Sequence, residues 1–310
     1  MSFMPIFEKM VELFIVLIIG YIGNKTNVIT PQIKQGLTKV VLNITLPCTA
    51  LSAVMNSTVL PGPAEIIEVC LIAFLTYIPL YILEIIVPKT IGLEGKTKDA
   101  GKFALMYKNV GFIGFPVTQA IFGTDALLYT SIFNMPFNLL CYSAGISLIR
   151  QEEKTKEEKN LFDMIKPFLT PTMIASFLSV IMALCQYKGP IILAQTCEMV
   201  GNVTTPAALL IIGASLGEMP VKEMFNNYKA YIITFFSVVV SPIITWGMLH
   251  FFVSNELTLN IAVVLSAMPV ATSGTMLCVE YGGDEKFMAQ VTFLTTLVTV
   301  VTIPAVAMFL

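Results

Sequence analysis

Long apolar runs alternate with short polar connections along almost the whole chain. A helix that crosses a bilayer needs about 20 mostly apolar residues, and ten segments of the chain fit that window. They are 7–23, 38–56, 65–87, 102–122, 126–149, 168–187, 191–217, 229–253, 257–280 and 286–309. The pattern predicts an all-α membrane protein with ten transmembrane helices.

The most polar stretch of the chain divides these segments into two sets of five. It runs from 150 to 167 and mixes acidic and basic residues, which is typical of a solvated linker. We therefore predict a first repeat at 1–150, a short cytoplasmic linker at 151–167 and a second repeat at 168–310. Because five is an odd number, the two halves would enter the membrane in opposite directions, as in the inverted repeats of many secondary transporters.

One short motif occurs in both halves. Asn43 to Pro47 and Asn202 to Pro206 both read Asn-(Ile/Val)-Thr-x-Pro, and the second copy begins 159 residues after the first. A proline inside a helix removes a hydrogen-bond donor and clashes with the carbonyl four residues earlier. Paired interruptions at corresponding positions of two halves point to the binding site of a transporter.

A second pair of interruptions lies in spans four and nine. Both spans carry a Pro-Val pair, at Pro116 and Pro269, and both end in glycine followed closely by aspartate. If the spans unwind and cross at these prolines, two half-helix N-termini meet and form an anion site without an arginine. The alternative is that each proline only kinks its helix, since proline is common in membrane helices.

Composition excludes several classes of protein. The chain of 310 residues is 56% hydrophobic and 12% charged, with a mean hydropathy of +0.81, whereas soluble domains carry about 25% charged residues. A net charge of −2 argues against a nucleic-acid partner. The six cysteines are scattered and His250 is the single histidine, so we expect neither a metal nor a cofactor. Without a nucleophile–base motif or a Walker loop, we expect a protein that is not an enzyme.

The basic residues predict an orientation. With the N-terminus outside, 15 of the 18 lysines and arginines fall in or beside the loops that face the cytoplasm. Because cytoplasmic loops carry an excess of lysine and arginine, we predict a multi-pass protein of the plasma membrane with both termini outside.

Several of these segments resemble the auxin efflux carrier family, which includes the plant PIN-FORMED carriers and bacterial permeases for malate or malonate. The resemblance covers the whole chain and is strongest at Asn109 through Pro116 with Gly123 beyond, at Met268-Pro269, at Glu280 to Asp284 and at Asn43 to Pro47. It implies a 5+5 inverted repeat in which helices four and nine are broken and cross, a scaffold and a transport subdomain, an elevator-type motion and a homodimer. It also implies that the substrate carboxylate is held at the crossover, and that Asn109 contacts it.

The candidate site follows from these motifs. We predict substrate contacts at Asn109, Gly114, Pro116, Pro269, Val270, Thr272, Asn43 and Asn202. For the last two, an equally simple role is to satisfy backbone groups that Pro47 and Pro206 release. Asn134 and Asn138 share one helix face and either line the cavity or join two helices.

Lys108 is the one basic residue well inside a span. Ionisable residues inside a membrane are functional candidates. Alternatively, its long side chain extends to the cytoplasmic surface.

The function predicted from sequence is secondary transport of a small organic anion, such as a dicarboxylate or an auxin-like carboxylate, across the lipid bilayer. The coupling ion stays open between none, a proton and sodium. The main alternative is a membrane-embedded sensor that binds a ligand without transporting it. An ion channel and an intramembrane enzyme are further alternatives.

Overall fold

The computed structural model describes residues 3–57, 60–150, 169–218 and 224–310, and within these ranges it is helical and contains no strand. The first half contains α1 (Phe3–Lys25), α2 (Pro31–Val40), α3 (Leu46–Met55), α4 (Pro63–Leu75), α5 (Tyr77–Thr90), α6 (Gly95–Met106), α7 (Phe115–Phe122), α8 (Ala126–Leu140) and α9 (Ile146–Ile149). The second half contains α10 (Pro171–Leu184), α11 (Ile191–Gly201), α12 (Thr204–Gly217), α13 (Tyr228–Phe235), α14 (Ser241–Leu249), α15 (Glu256–Ser266), α16 (Ser273–Tyr281) and α17 (Glu285–Phe309). The predicted linker, 151–167, lies outside the described residues.

Among the described residues, six helical stretches are long and apolar enough to cross a membrane. They are Pro31–Met55, Pro63–Thr90, Ala126–Ile149, Ile191–Gly217, Tyr228–Leu249 and Glu285–Phe309. The other four predicted spans differ for physical reasons: α1 carries charged residues in its first half, α10 is short, and the spans predicted at 102–122 and 257–280 are interrupted. An all-helical membrane protein is thus confirmed, and the ten-span repeat stays a prediction.

In the part of the chain that the structure describes, short π-helical segments join pairs of these helices, and three of the segments have a common cause. The segments Val41–Thr45, Val110–Gly114 and Phe236–Val240 each end two residues before a proline. A proline clashes with the carbonyl of the preceding turn, and a wider π turn relieves that clash. The prolines predicted to interrupt spans two and four therefore act by widening the turn before them.

Close contact between α1 and α12 depends on glycine. A Cβ atom built on Gly213 would lie 1.9 Å from the carbonyl oxygen of Leu17, and one on Gly20 would lie 2.4 Å from that of Leu210. Small residues at such crossings let helix backbones approach closely, which is how helices associate in membranes. The two halves of the chain are therefore joined through backbone packing.

Threonines join the two copies of the Asn-x-Thr-x-Pro motif. The hydroxyl of Thr204 donates to the hydroxyl of Thr45 over 2.9 Å. The hydroxyl oxygens of Thr49 and Thr204 are 2.8 Å apart. Thr49 also lies within hydrogen-bond distance of the carbonyl of Gly201. Thr45 and Thr204 occupy the same position in the two motifs, so corresponding residues of the two halves meet in the interior.

Candidate functional site

The interruptions of spans four and nine meet through their backbones. Lys108 and Val270 form an isolated antiparallel β-bridge. The N–H of Asn109 donates to the carbonyl of Pro269 over 2.8 Å, and the N–H of Ala271 donates to the carbonyl of Tyr107 over 3.0 Å. Extended backbone in the interior of a membrane protein is tolerated here because the backbone groups of the two segments hydrogen-bond to each other. We call this contact the crossover.

Asn109 lies at the crossover, and of its two side-chain amide atoms only the oxygen has a hydrogen-bond partner among the described residues. The residue is 2% exposed, and its side-chain oxygen accepts from the N–H of Phe112 over 3.0 Å, capping the turn that leads into α7. The amide nitrogen Nδ2 is buried without a hydrogen-bond partner among the described residues. A buried polar group without a partner costs about 1–3 kcal/mol, so this donor is available to a ligand.

A small cavity of about 30 Å³ borders the crossover. Its lining comes from both halves of the chain: Leu42, Leu46, Asn109, Gly111, Phe112, Asn134, Phe137, Asn138, Tyr142, Thr172, Ala271, Thr272 and Ser273. Neither Oδ1 nor Nδ2 of Asn134 has a partner among the described residues. The cavity therefore has two amide nitrogens, on Asn109 and Asn134, that are free to donate.

A larger cavity of about 970 Å³ adjoins the small one. Leu42, Phe112, Tyr142, Thr272 and Ser273 line both cavities. The wide part contains side chains of both charges: Lys34, Lys39, Glu218, Glu280, Glu285 and Lys286. These charges lie on the side that the basic residues predict to be cytoplasmic. The larger cavity thus borders the crossover on the side predicted to be cytoplasmic.

The other crossover residues named from sequence have structural roles that the contacts explain. Pro116 lies in the first turn of α7, where its missing N–H needs no partner. A Cβ atom on Gly114 would lie 2.9 Å from a methyl group of Leu265, so glycine permits the close approach of the two interruptions. The N–H of Val270 donates to the hydroxyl of Thr295 in α17, and this hydrogen bond joins the crossover to that helix. Thr272 lines both cavities.

The structure does not bring Asn43 and Asn202 to the crossover. Both residues are exposed and line neither cavity. The side chain of Asn43 donates to the carbonyl of Lys39 over 2.8 Å, and Asn202 follows the last turn of α11. The threonines of the same motifs point inward instead.

Lys108 is buried at the crossover instead of extending to the surface. It is 2% exposed, and its Nζ atom donates to the carbonyl oxygen of Ser237 over 2.8 Å and to the Ser237 hydroxyl over 2.5 Å. The backbone turns at Asn109, where the N–H of Val110 donates to the carbonyl of Lys108 over 2.8 Å. Asn109 lines the small cavity and Lys108 does not.

Metal-ligating residues do not cluster in the part of the chain that the structure describes: no group of three or more histidine, cysteine, aspartate or glutamate side chains comes together there. His250 stacks on Trp246 with ring centroids 4.6 Å apart. The polar side chains that line the small cavity are amides and hydroxyls, which suit an organic ligand.

Comparison with known proteins agrees with this arrangement. A family model described as membrane transport protein matches residues 5–307. The chain is similar to an uncharacterized transporter of Methanocaldococcus jannaschii, with 24% identity over 91% of each chain. It is also similar to an uncharacterized transporter of Methanothermobacter thermautotrophicus, with 23% identity over 98% of each chain. The chain belongs to the membrane transport protein family, that of the auxin efflux carriers, and is a membrane transporter and not an enzyme.

Proposed function

We propose that this transporter is a secondary carrier of a small organic anion, such as a dicarboxylate or an auxin-like carboxylate. The observation that carries the proposal is the pair of unpartnered amide nitrogens, on Asn109 and Asn134, in the small cavity at the crossover. A carboxylate accepts hydrogen bonds only, so it matches donors that have no partner in the protein. The start of α16 at Ser273 adds a helix N-terminus beside the same cavity, which favours negative charge. Gly114, Pro116, Pro269, Val270 and Thr272 would shape this site.

The same contacts support alternating access of the elevator type. A cavity of about 30 Å³ holds about one water molecule, so a carboxylic acid enters only when groups around it move apart. The larger cavity lies between α2 and α12 on one side and the crossover with α16 and α17 on the other. We infer that α1–α3 and α10–α12 form a scaffold, and that the remaining helices carry the crossover past it.

A ten-span architecture follows from the same proposal. The hydrogen bond between Thr45 and Thr204 joins residues 159 apart, which is also the spacing of the two Asn-x-Thr-x-Pro motifs. Corresponding residues meet in this way across the pseudo-two-fold axis of an inverted repeat. We propose repeats at 1–150 and 168–310 joined by a cytoplasmic linker at 151–167, in a plasma-membrane protein with both termini outside. The family resemblance further supports a homodimer.

Solute counterflow in proteoliposomes tests the proposed function. Vesicles preloaded with an unlabelled carboxylate should accumulate the same labelled acid transiently, and the amide of that acid should give no accumulation. A sensor would bind the acid without counterflow, and a channel would show no acceleration by the preloaded acid. Counterflow with neutral or cationic solutes alone would contradict an anion carrier.

A further inference from the structure

The side chain of Lys108 is fully enclosed, and its amine bonds to Ser237. Nζ donates to both the carbonyl and the hydroxyl of Ser237, and the Ser237 hydroxyl donates to the carbonyl of Ala104 over 3.2 Å. Ser237 lies in the π-helical segment Phe236–Val240 between α13 and α14. The amine thus links the crossover to the spanning stretch Tyr228–Leu249.

The Ser237 carbonyl is available because of the proline that comes five residues later. In the π-helical register a carbonyl accepts from the N–H five residues later, and for Ser237 that residue is Pro242, which has no N–H. The N–H of Ser241 donates to Phe236 in the same register. Lys108 therefore donates to a carbonyl oxygen that has no backbone N–H partner in this register.

At another proline of the chain, a neutral hydroxyl donates to the equivalent carbonyl. Pro47 follows the π-helical segment Val41–Thr45, and the carbonyl five residues before it belongs to Leu42. The Thr172 hydroxyl donates to that carbonyl over 2.7 Å. Since a hydroxyl satisfies the equivalent acceptor, hydrogen bonding alone does not require a lysine at 108.

The charge of Lys108 has no acidic counterpart in the described part of the chain. None of the carboxylates there is hydrogen-bonded to or ion-paired with its Nζ atom. The carboxylates on the neighbouring helices, Glu84 of α5 and Asp99 of α6, interact electrostatically with Lys102. A buried charge without a partner is strongly unfavourable, and a bound anion one residue away, at Asn109, would offset that cost.

We propose that Lys108 is positively charged when the anion is bound, moves with the substrate site and balances one negative charge of that anion. Resting on the proposed function, this gives the net charge of the loaded carrier for each substrate class: a monocarboxylate makes it electrically neutral, and a dicarboxylate leaves it with one negative charge.

This charge balance determines how exchange responds to voltage. Moving one elementary charge through about 100 mV changes an equilibrium about 50-fold, whereas a neutral complex is unaffected. During exchange only the loaded carrier crosses. Exchange of a monocarboxylate should therefore be independent of voltage in the wild type, and exchange of a dicarboxylate should change several-fold.

Exchange of a labelled acid in proteoliposomes, with the voltage set by a potassium gradient and valinomycin, tests the assignment. Lys108→Gln removes the charge, so monocarboxylate exchange should become voltage-dependent by one charge. Lys108→Arg keeps the charge and should behave as the wild type. A merely structural role for Lys108 would change the rate or the stability of the Gln variant and leave its voltage dependence as in the wild type, which would overturn the proposal.

The wild type alone also decides the question if the Gln variant does not fold. Monocarboxylate exchange that responds to voltage as one full charge would show that Lys108 does not balance the anion. Counterflow of no carboxylate at all would instead overturn the proposed function, and the charge assignment with it. The two failures are therefore distinguishable.

Discussion

Replacing Asn109 with alanine should weaken carboxylate binding at least ten-fold and abolish most uptake. The substitution removes the unpartnered Nδ2 donor at the small cavity, and a hydrogen bond to a charged group contributes about 1.5–3 kcal/mol. It also removes the cap on the Phe112 N–H, which costs about 1 kcal/mol of stability. Thermal shift of the purified protein with a panel of carboxylates, beside uptake into vesicles, measures both effects.

Asn43→Ala is the matched control for this variant. Its amide bonds to the carbonyl of Lys39 and lines neither cavity, so binding and uptake should equal those of the wild type. If Asn43 contacts the substrate, as predicted from sequence, Asn43→Ala should instead lose binding and uptake as Asn109→Ala does. Full transport by the Asn109→Ala variant would refute the role assigned to Asn109.

The second large effect is expected at the contact between α1 and α12. Gly213→Ala places a methyl group 1.9 Å from the Leu17 carbonyl oxygen and 2.8 Å from the Tyr21 nitrogen. Both atoms belong to the backbone and cannot rotate away, so the two helices must separate. Overpacking of this kind costs about 1–3 kcal/mol and occasionally more. The midpoint of thermal unfolding in detergent should fall by several degrees.

Gly247→Ala provides the control for the glycine prediction. Gly247 also lies inside a helix, α14, but a Cβ atom there would meet nothing within 4 Å. Alanine is the better helix former by about 1 kcal/mol, so this variant should be as stable as the wild type or slightly more stable. Equal stability of the two alanine variants would contradict the close packing of α1 and α12.

The prolines were the part of the site that sequence could locate. A proline's missing N–H acts locally, so Pro47, Pro116 and Pro269 were candidates for interruptions. The structure places an interruption beside each of these three residues, whereas Pro88, Pro136 and Pro304 lie inside helices that continue. The family of transporters was also readable, because the motifs at Asn109 through Pro116 and at Met268-Pro269 extend over both halves.

Which polar residue of an interruption turns inward could not be read from sequence. A regular helix repeats every 3.6 residues, but the π turn at Val41–Thr45 adds a residue and rotates the next turns of the helix about its axis. Asn43 and Thr45 both lie in this segment and face nearly opposite sides, and packing buries Thr45 and leaves Asn43 exposed. The free amide of Asn134 was a candidate from its helix face, but its lack of a partner depends on packing between distant helices.

The hydrogen-bond partner of Lys108 could not be predicted from sequence for a related reason. Ser237 lies 129 residues further along the chain, and its carbonyl becomes available only because a π turn precedes Pro242. Spacing within one span cannot reveal a contact that depends on two distant interruptions. Sequence alone thus left open whether the amine is buried or reaches the surface.

The most direct test of the central claim is an experimental structure of the protein in a lipid nanodisc with the acid that gives counterflow. The account predicts density for the carboxylate between Asn109 and Asn134, next to the start of α16, and loss of that density in the Asn109→Ala variant. Ligand density confined to the larger cavity, away from the crossover, would contradict it.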